Sequence, residues 1–205
     1  FKKIADAGID WITISIDGID EVYESIRKPL KFSDLLKKIK DIHEFKKKND
    51  LKRPVIKVQG IWPAIEKNLE KYYDTFKNYT DLVAFNPLID YLWNDDIIEY
   101  ESNFSCPQQY QRLVIGADGK VMKCSNDEEN IEVIGDINKE TVFKVWHGKK
   151  MNDVRKLHNQ KNGFMKSEIC RKCYLPRKTK DQISKVDDRE FIVKNYTLRT
   201  NIIGK

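Results

Sequence analysis

Trp11-Ile12-Thr13-Ile14-Ser15-Ile16-Asp17-Gly18 is the stretch that decides the fold. Ile12, Ile14 and Ile16 alternate with Trp11, Thr13, Ser15 and Asp17, the period-two pattern of a strand with one largely polar face. On either side the period changes to that of a helix. Upstream, a helical pattern closes at Gly8; downstream, residues 20–27 and 33–48 read as helices. The second places Leu35, Leu36, Ile39, Ile42 and Phe45 at helical spacing, with Ser33 as its N-cap. Residues 54–61, Pro-Val-Ile-Lys-Val-Gln-Gly-Ile, form a second strand, residues 64–79 a helix, and Leu82 to Asn86 a third strand. Repeated βα units predict a parallel sheet, because each crossover returns the chain to the same edge in the same direction. Three such units do not close a barrel by themselves.

The pattern then breaks at Asn86-Pro87, Asn94-Asp95-Asp96 and Cys106-Pro107. Residues 1–90 are therefore expected to form one domain, 91–105 a linker and 106–177 a second domain. In the latter, residues 112–115 and 120–124 flank Gly116-Ala-Asp-Gly119, whose glycines and aspartate suit a tight hairpin. Residues 136–147 and 149–159 read as short helices, with Phe143, Val145 and Trp146 as core. Residues 178–205 read as a polar tail in which Phe191-Ile-Val193 and Tyr196 offer a docking strand.

All four cysteines, Cys106, Cys124, Cys170 and Cys173, lie in the second half, spaced C-x17-C, C-x45-C and C-x2-C. The hairpin would bring Cys106 and Cys124 together, and Cys170-Arg-Lys-Cys173 is a compact chelate. Four thiolates complete one tetrahedral zinc or one iron-sulfur cluster, and ligand count does not separate the two. Zinc ribbons usually carry two short C-x2-C hooks; the single one here tilts the balance towards a cluster. A thioredoxin-like role is disfavoured, because Cys173 runs into Tyr174-Leu175-Pro176 instead of opening a helix. His43, His147 and His158 lack the spacing of paired ligands on a helix and read as surface or packed residues.

Composition bounds the partners. The net charge of +6 rests mainly on lysines such as Lys37, Lys38, Lys40 and Lys46 to Lys48, interleaved with acidic residues, a solvated surface more than a nucleic-acid face. With 40% hydrophobic and 11% aromatic residues the chain can bury a core, so wholesale disorder is excluded. No apolar run is long enough for a bilayer and the start lacks a signal-peptide core, so a cytoplasmic protein without a membrane partner is expected. In a reducing cytoplasm a disulfide is the weakest use of these cysteines. The chain opens on Phe1 inside a helical pattern, which raises the expectation of a fragment of something longer.

Cys106-x12-Gly119-x4-Cys124, Ile134-Gly-Asp-Ile137, Val145-Trp146 and Cys170-x2-Cys173, in that order, resemble the SPASM/twitch extension of radical S-adenosylmethionine (SAM) enzymes. With four cysteines the segment is similar to the shorter twitch version, which holds one auxiliary [4Fe-4S] cluster. Ile14-Ser-Ile-Asp-Gly18 with Tyr23-Glu-Ser-Ile-Arg27 resembles the fourth strand of the radical SAM partial barrel and the segment after it. Lys57-Val-Gln59 and Leu82 to Asn86 then correspond to the fifth and sixth strands. The fold class implied is α/β: the C-terminal half of a partial (β/α)6 barrel with parallel strands, followed by a small hairpin-plus-helix metal domain of twitch type.

The resemblance also implies roles. Cys106, Cys124, Cys170 and Cys173 would ligate the auxiliary cluster, and with all four in use that cluster would serve electron transfer. Thr13, Ser15, Asp17, Lys57, Gln59 and Asn86 sit by alternation on the lumen face, near the strand ends where α/β barrels place their chemistry. Ser15, Arg27, Lys57 and Gln59 are the implied SAM contacts, an arginine fork suiting the methionine carboxylate; Asp17 reads as a turn or cap residue. The activity implied is hydrogen abstraction by a 5'-deoxyadenosyl radical from a small-molecule, sugar or peptide substrate, with an electron donor protein as partner. The defining C-x3-C-x2-C loop is not in this sequence, so a second [4Fe-4S] cluster would belong upstream and this chain alone is expected to be inactive. The rival reading is a noncatalytic zinc-stabilised binding module, with RNA as its candidate ligand, using Arg171, Lys172, Arg177, Lys178 and Lys180.

Overall fold

The computed structural model describes residues 1–87 and 98–198. The break at Asn94-Asp95-Asp96, with residues 91–97 of the expected linker and 199–205 of the expected tail, lies outside the described residues. These fold into two compact units, residues 1–87 with 180–195, and residues 98–179 with 196–198.

The first unit begins with α1 (Lys2–Asp6), β1 (Trp11–Ser15), α2 (Asp20–Ile26), α3 (Phe32–Lys48) and β2 (Val55–Ile61). It continues with α4 (Trp62–Ile65), α5 (Leu69–Phe76) and β3 (Leu82–Asn86). The strands form a parallel sheet in the order β1-β2-β3, in register at Ser15↔Gln59 and Gly60↔Phe85. Trp11, Thr13 and Ser15 are exposed while Ile12 and Ile14 are half-buried, as the alternation requires. The apolar face packs Ile16 and Val58 with Ile39, Tyr72 and Phe76. A side chain such as Phe76, fully buried, contributes on the order of 2–3 kcal/mol. Tyr72 also donates its hydroxyl to the Ile16 carbonyl at 3.0 Å. A Cβ at Gly60 would stand 3.0 Å from both of those oxygens, so glycine is what lets them meet.

Two local expectations in this unit need correction. Helix α3 starts at Phe32 with Lys31 at its N-cap, so Ser33 is not the cap. Glu24 of α2 accepts from Phe32 N at 3.2 Å and satisfies that first-turn donor across two helices. The single helix expected over 64–79 is broken by a 3₁₀ turn at Glu66–Asn68. The break re-phases the chain so that Trp62 and Ile65 before it, and Tyr72 and Phe76 after it, are all buried.

The second unit contains β4 (Val114–Ile115), β5 (Lys120–Met122), β6 (Val133–Asp136), α6 (Val142–His147), α7 (Lys149–His158) and α8 (Glu168–Lys172). Its antiparallel sheet runs β4-β5-β6, and Gly119 turns the first hairpin at φ +82°. Residues 136–147 are therefore not one helix: their first residue closes a strand, and the helix starts only after Thr141, whose hydroxyl accepts from Lys144 N at 3.2 Å. Phe143, expected in the core, is 72% exposed, whereas Val145 is buried. Two residues apart on a helix is about 200° of rotation, so one of the pair must face out.

The expected tail is instead a hairpin, β7 (Thr179–Val186) and β8 (Arg189–Tyr196), turning at Asp187 with φ 55°. Val193 is buried in the core of the first unit, and the Phe191 ring lies 5.1 Å from Phe85 and 5.9 Å from Trp62, which makes β8 the anticipated docking strand. Outward lysines and acids lower the mean hydropathy of the segment and hid the alternation of β7.

Candidate metal centre

Each cysteine is placed by a different local device. Cys106 is the N-cap of a 3₁₀ turn at Pro107–Tyr110. Cys124 follows β5, and Cys170 and Cys173 lie on and just after α8. Ser167 caps α8 by accepting from Cys170 N at 3.4 Å. The C-terminal end of α8 is held by the buried Arg177, which donates to the carbonyls of Lys172 at 2.9 Å and Cys173 at 3.2 Å. Burial of Arg177 removes it from the basic surface that an RNA-binding module would need.

All four thiols line one cavity of about 70 Å³, together with Gln109, Asn126 and His158. None is joined in a disulfide. Burial pushes the Cys106 and Cys124 thiols up, and it pushes Cys173 to about 11, with the neighbouring cysteines adding to the rise. The chemistry of the donor set fits a group bound by four thiolates, and Gln109, on the same cavity, carries a buried Oε1 without a hydrogen-bond partner. Among the described residues no three His, Cys, Asp or Glu side chains are grouped tightly enough to hold a single metal ion. Tetrahedral zinc at 2.3 Å from each sulfur demands sulfurs about 3.8 Å apart.

Groups around the sulfurs are arranged to hydrogen-bond them. Cys173 Sγ accepts from Asn126 Nδ2 at 3.0 Å and from Leu175 N at 3.4 Å. His158, one of the histidines read as surface or packed, is packed, and it is packed against this site: Nδ1 accepts from Cys106 N at 3.4 Å, and Nε2 lies 3.6 Å from Cys170 Sγ. Burial, with the charge of Lys123 adding to it, holds His158 down to about 4, so the ring is neutral at neutral pH. Burial also works against the Lys123 charge, but Cys170 and Glu132 outweigh it and the ammonium is retained. Lys123 donates to Glu132 at 2.8 Å and to Ser167. Sequence reasoning passed over His158, Lys123 and Asn126. The signal for His158 was available: Met151, Val154 and His158 follow one another at i, i+3 and i+7, which puts an imidazole in the apolar stripe of α7. His43 instead stacks edge-on with Tyr79 and His147 lies on Phe143.

On the first unit, Thr13, Ser15, Lys57 and Gln59 share the polar face of the sheet, in pairs Thr13↔Lys57 and Ser15↔Gln59. Asn86 pairs with Ile61 on the same face. Lys57 Nζ donates to Gln59 Oε1 at 2.5 Å. Asp17 is not a cap, since Ile19 holds the N-cap of α2. Its buried carboxylate instead takes Arg27 Nε at 3.0 Å and also Nη2, which fixes the guanidinium at the end of β1.

Residues 106–174 match the family model of SPASM, an iron-sulfur cluster-binding domain. No curated protein matches the chain. Among solved structures, native anSMEcpe with bound AdoMet is similar at TM-score 0.54 and 14% identity, over 83% of this chain and 59% of that one. BtrN in an open conformation is similar at TM-score 0.35 and 16% identity, over 84% of this chain and 75% of that one. The chain thus spans about three fifths of the length of anSMEcpe, and the likeness is one of fold. Residues 106–174 thus match the SPASM iron-sulfur cluster-binding domain, in a chain whose fold is similar to that of anSMEcpe.

Proposed function

We propose that this chain is the C-terminal part of a radical SAM enzyme, its three βα units half of a partial (β/α)6 barrel and its cysteine unit a twitch domain for one auxiliary [4Fe-4S] cluster. The observation that carries the reading is the convergence of Cys106, Cys124, Cys170 and Cys173 on one cavity within the SPASM segment. A cubane takes one thiolate at each of four irons, and four cysteines around one cavity supply that number. When bound, the cluster supplies one-electron transfer. Four protein ligands leave no iron open to substrate, so the thiolates hold an electron acceptor for a substrate radical left by hydrogen abstraction with a 5'-deoxyadenosyl radical.

The polar sheet face is the proposed SAM side. Ser15 and Gln59 offer neutral hydrogen bonds and Lys57 a charged one. Arg27, with Nε and Nη2 spent on Asp17, keeps Nη1 for the methionine carboxylate. The substrate is a small molecule, sugar or peptide, an electron donor protein is the partner, and the cytoplasm is the compartment. Among the described residues no helix is long and apolar enough to cross a membrane.

Anaerobic purification is expected to give brown protein with about four irons and four sulfides per four-cysteine site. Stoichiometric zinc without sulfide, in protein never exposed to air, would overturn the cluster. A longer chain carrying an upstream C-x3-C-x2-C loop is expected to cleave SAM under reduction, and Lys57→Ala to weaken SAM binding more than Ser15→Ala, because hydrogen bonds to charged groups are worth more. Cleavage with unchanged SAM affinity in both variants would remove the polar face from the SAM site.

A further inference from the structure

His158 contacts two cysteines of the site. Its Nδ1 accepts the Cys106 amide proton at 3.4 Å, so this nitrogen carries no hydrogen and the ring N–H sits on Nε2. Nε2 stands 3.6 Å from Cys170 Sγ, within reach of an N–H···S hydrogen bond. The tautomer is thus set at one ligand and used at another, the arrangement by which outer groups orient and tune a metal site. We propose that His158 is a positioning residue of the auxiliary cluster, locking the backbone at Cys106 while its Nε2–H bond to Cys170 raises the reduction potential and makes the cluster a better electron acceptor. This rests on the cluster reading above.

The direction follows from charge. Taking up one electron adds one negative charge to a cluster and its thiolates, and a donor on sulfur stabilises the more negative state. Lys123 is paired with Glu132 at 2.8 Å, so the imidazole is the donor that can be removed with this ion pair left in place. His158 is 2% exposed, so water does not take over its bond.

The test uses the whole chain, loaded with iron and sulfide under anaerobic conditions. Its only cysteines are these four, so any cluster signal belongs to this site. Potentiometric titration followed by electron paramagnetic resonance is compared for wild type, His158→Phe and His158→Gln. Phe removes the donor; Gln places an amide N–H near the position of Nε2. The expected result is a shift of the reduction equilibrium towards the oxidised cluster by about tenfold in His158→Phe, about 59 mV for one electron, with most of it regained in His158→Gln. Equal potentials in wild type and His158→Phe at full iron content overturn the proposal while leaving the cluster standing. If His158→Phe holds no iron, wild type labelled with ¹⁵N-histidine decides: a hyperfine coupling from one ring nitrogen in the reduced cluster supports the bond, and its absence overturns it. Loss of iron and sulfide from wild type itself is instead the failure of the cluster reading.

Discussion

Lys123 and Glu132 show how the second unit uses charge. The Lys123 side chain is fully buried and its ammonium meets a carboxylate that is 32% exposed. Burial pushes the Glu132 carboxyl up, but the hydrogen bonds from Lys123 and Ser167 and the Lys123 charge outweigh it, and the net position is below the ordinary range. Removing the two partners should therefore have unequal effects. Glu132→Gln leaves an ammonium buried beside a neutral amide and should cost about 2 kcal/mol, less than the roughly 3–5 of a buried charge with no partner, because Gln still accepts its hydrogen bond. Lys123→Met leaves a carboxylate that reaches water and Ser167, and should cost about 1 kcal/mol. Denaturant melts check the order; a larger loss in Lys123→Met would show that the ammonium is not the buried liability. The pH dependence has a fixed sign. A carboxyl depressed in the folded state contributes fully above its unfolded value near 4.5, and the contribution is lost as pH falls through the folded value. Between pH 7 and 3 the Glu132→Gln variant should lose stability less steeply than wild type.

At the scale of elements, the hairpin β4-β5 was legible because its turn needs glycine. Gly119 sits at φ +82°, and a Cβ there would come within 2.3 Å of Asn138 Nδ2, which itself donates to Asp118 O. Gly8, at φ +75°, has nothing within 4 Å of such a Cβ. Gly8→Ala should thus cost only the left-handed backbone penalty, roughly 1–2 kcal/mol. Gly119→Ala should cost more, about 2–3 kcal/mol, because strain adds to displacement of the Asn138 side chain. Thermal melts of the two variants would separate the effects, and equal losses would mean that Asn138 moves aside freely. The same contrast explains what could be read in advance. The three parallel strands and the cysteine spacing were visible because alternation and chelate spacing are local in sequence. Strand β6 was missed because Gly135 and Asp136 lower its strand propensity; its pairing with β5 and the packing of Val145 on Gly135 are tertiary effects. The Glu24 cap of α3 and the seat of His158 were illegible for the same reason, as each partner lies on another element.

For the whole molecule, the two units differ in how much apolar core they own. Among the described residues the first buries twelve hydrophobic residues in one cluster, from Ile16 through Val193, while the cluster of the second holds Val121, Ile134, Val145 and Met151. A cluster that small supplies little net stability against chain entropy, so on the proposed function ligation of the four cysteines would contribute much of the folding free energy of the second unit. Cys170 lies on a five-residue helix, Cys173 follows it and Cys106 caps a 3₁₀ turn, elements too short to hold their shape alone. Removing iron with a chelator should therefore melt the second unit and spare the first. Calorimetry of loaded protein is expected to show a cysteine-unit transition that falls by 10 °C or more, in order of magnitude, on chelation, since about 2–3 kcal/mol moves the midpoint of a domain near 100 residues that far. Limited proteolysis supplies the location: after chelation, cuts should gather within residues 98–179 while a fragment covering residues 1–87 persists. If chelation left both transitions in place, the cysteines would be bystanders to folding and their site a late addition to a self-sufficient scaffold. Loss of both transitions together would show that the sheet of the first unit depends on the ligated second.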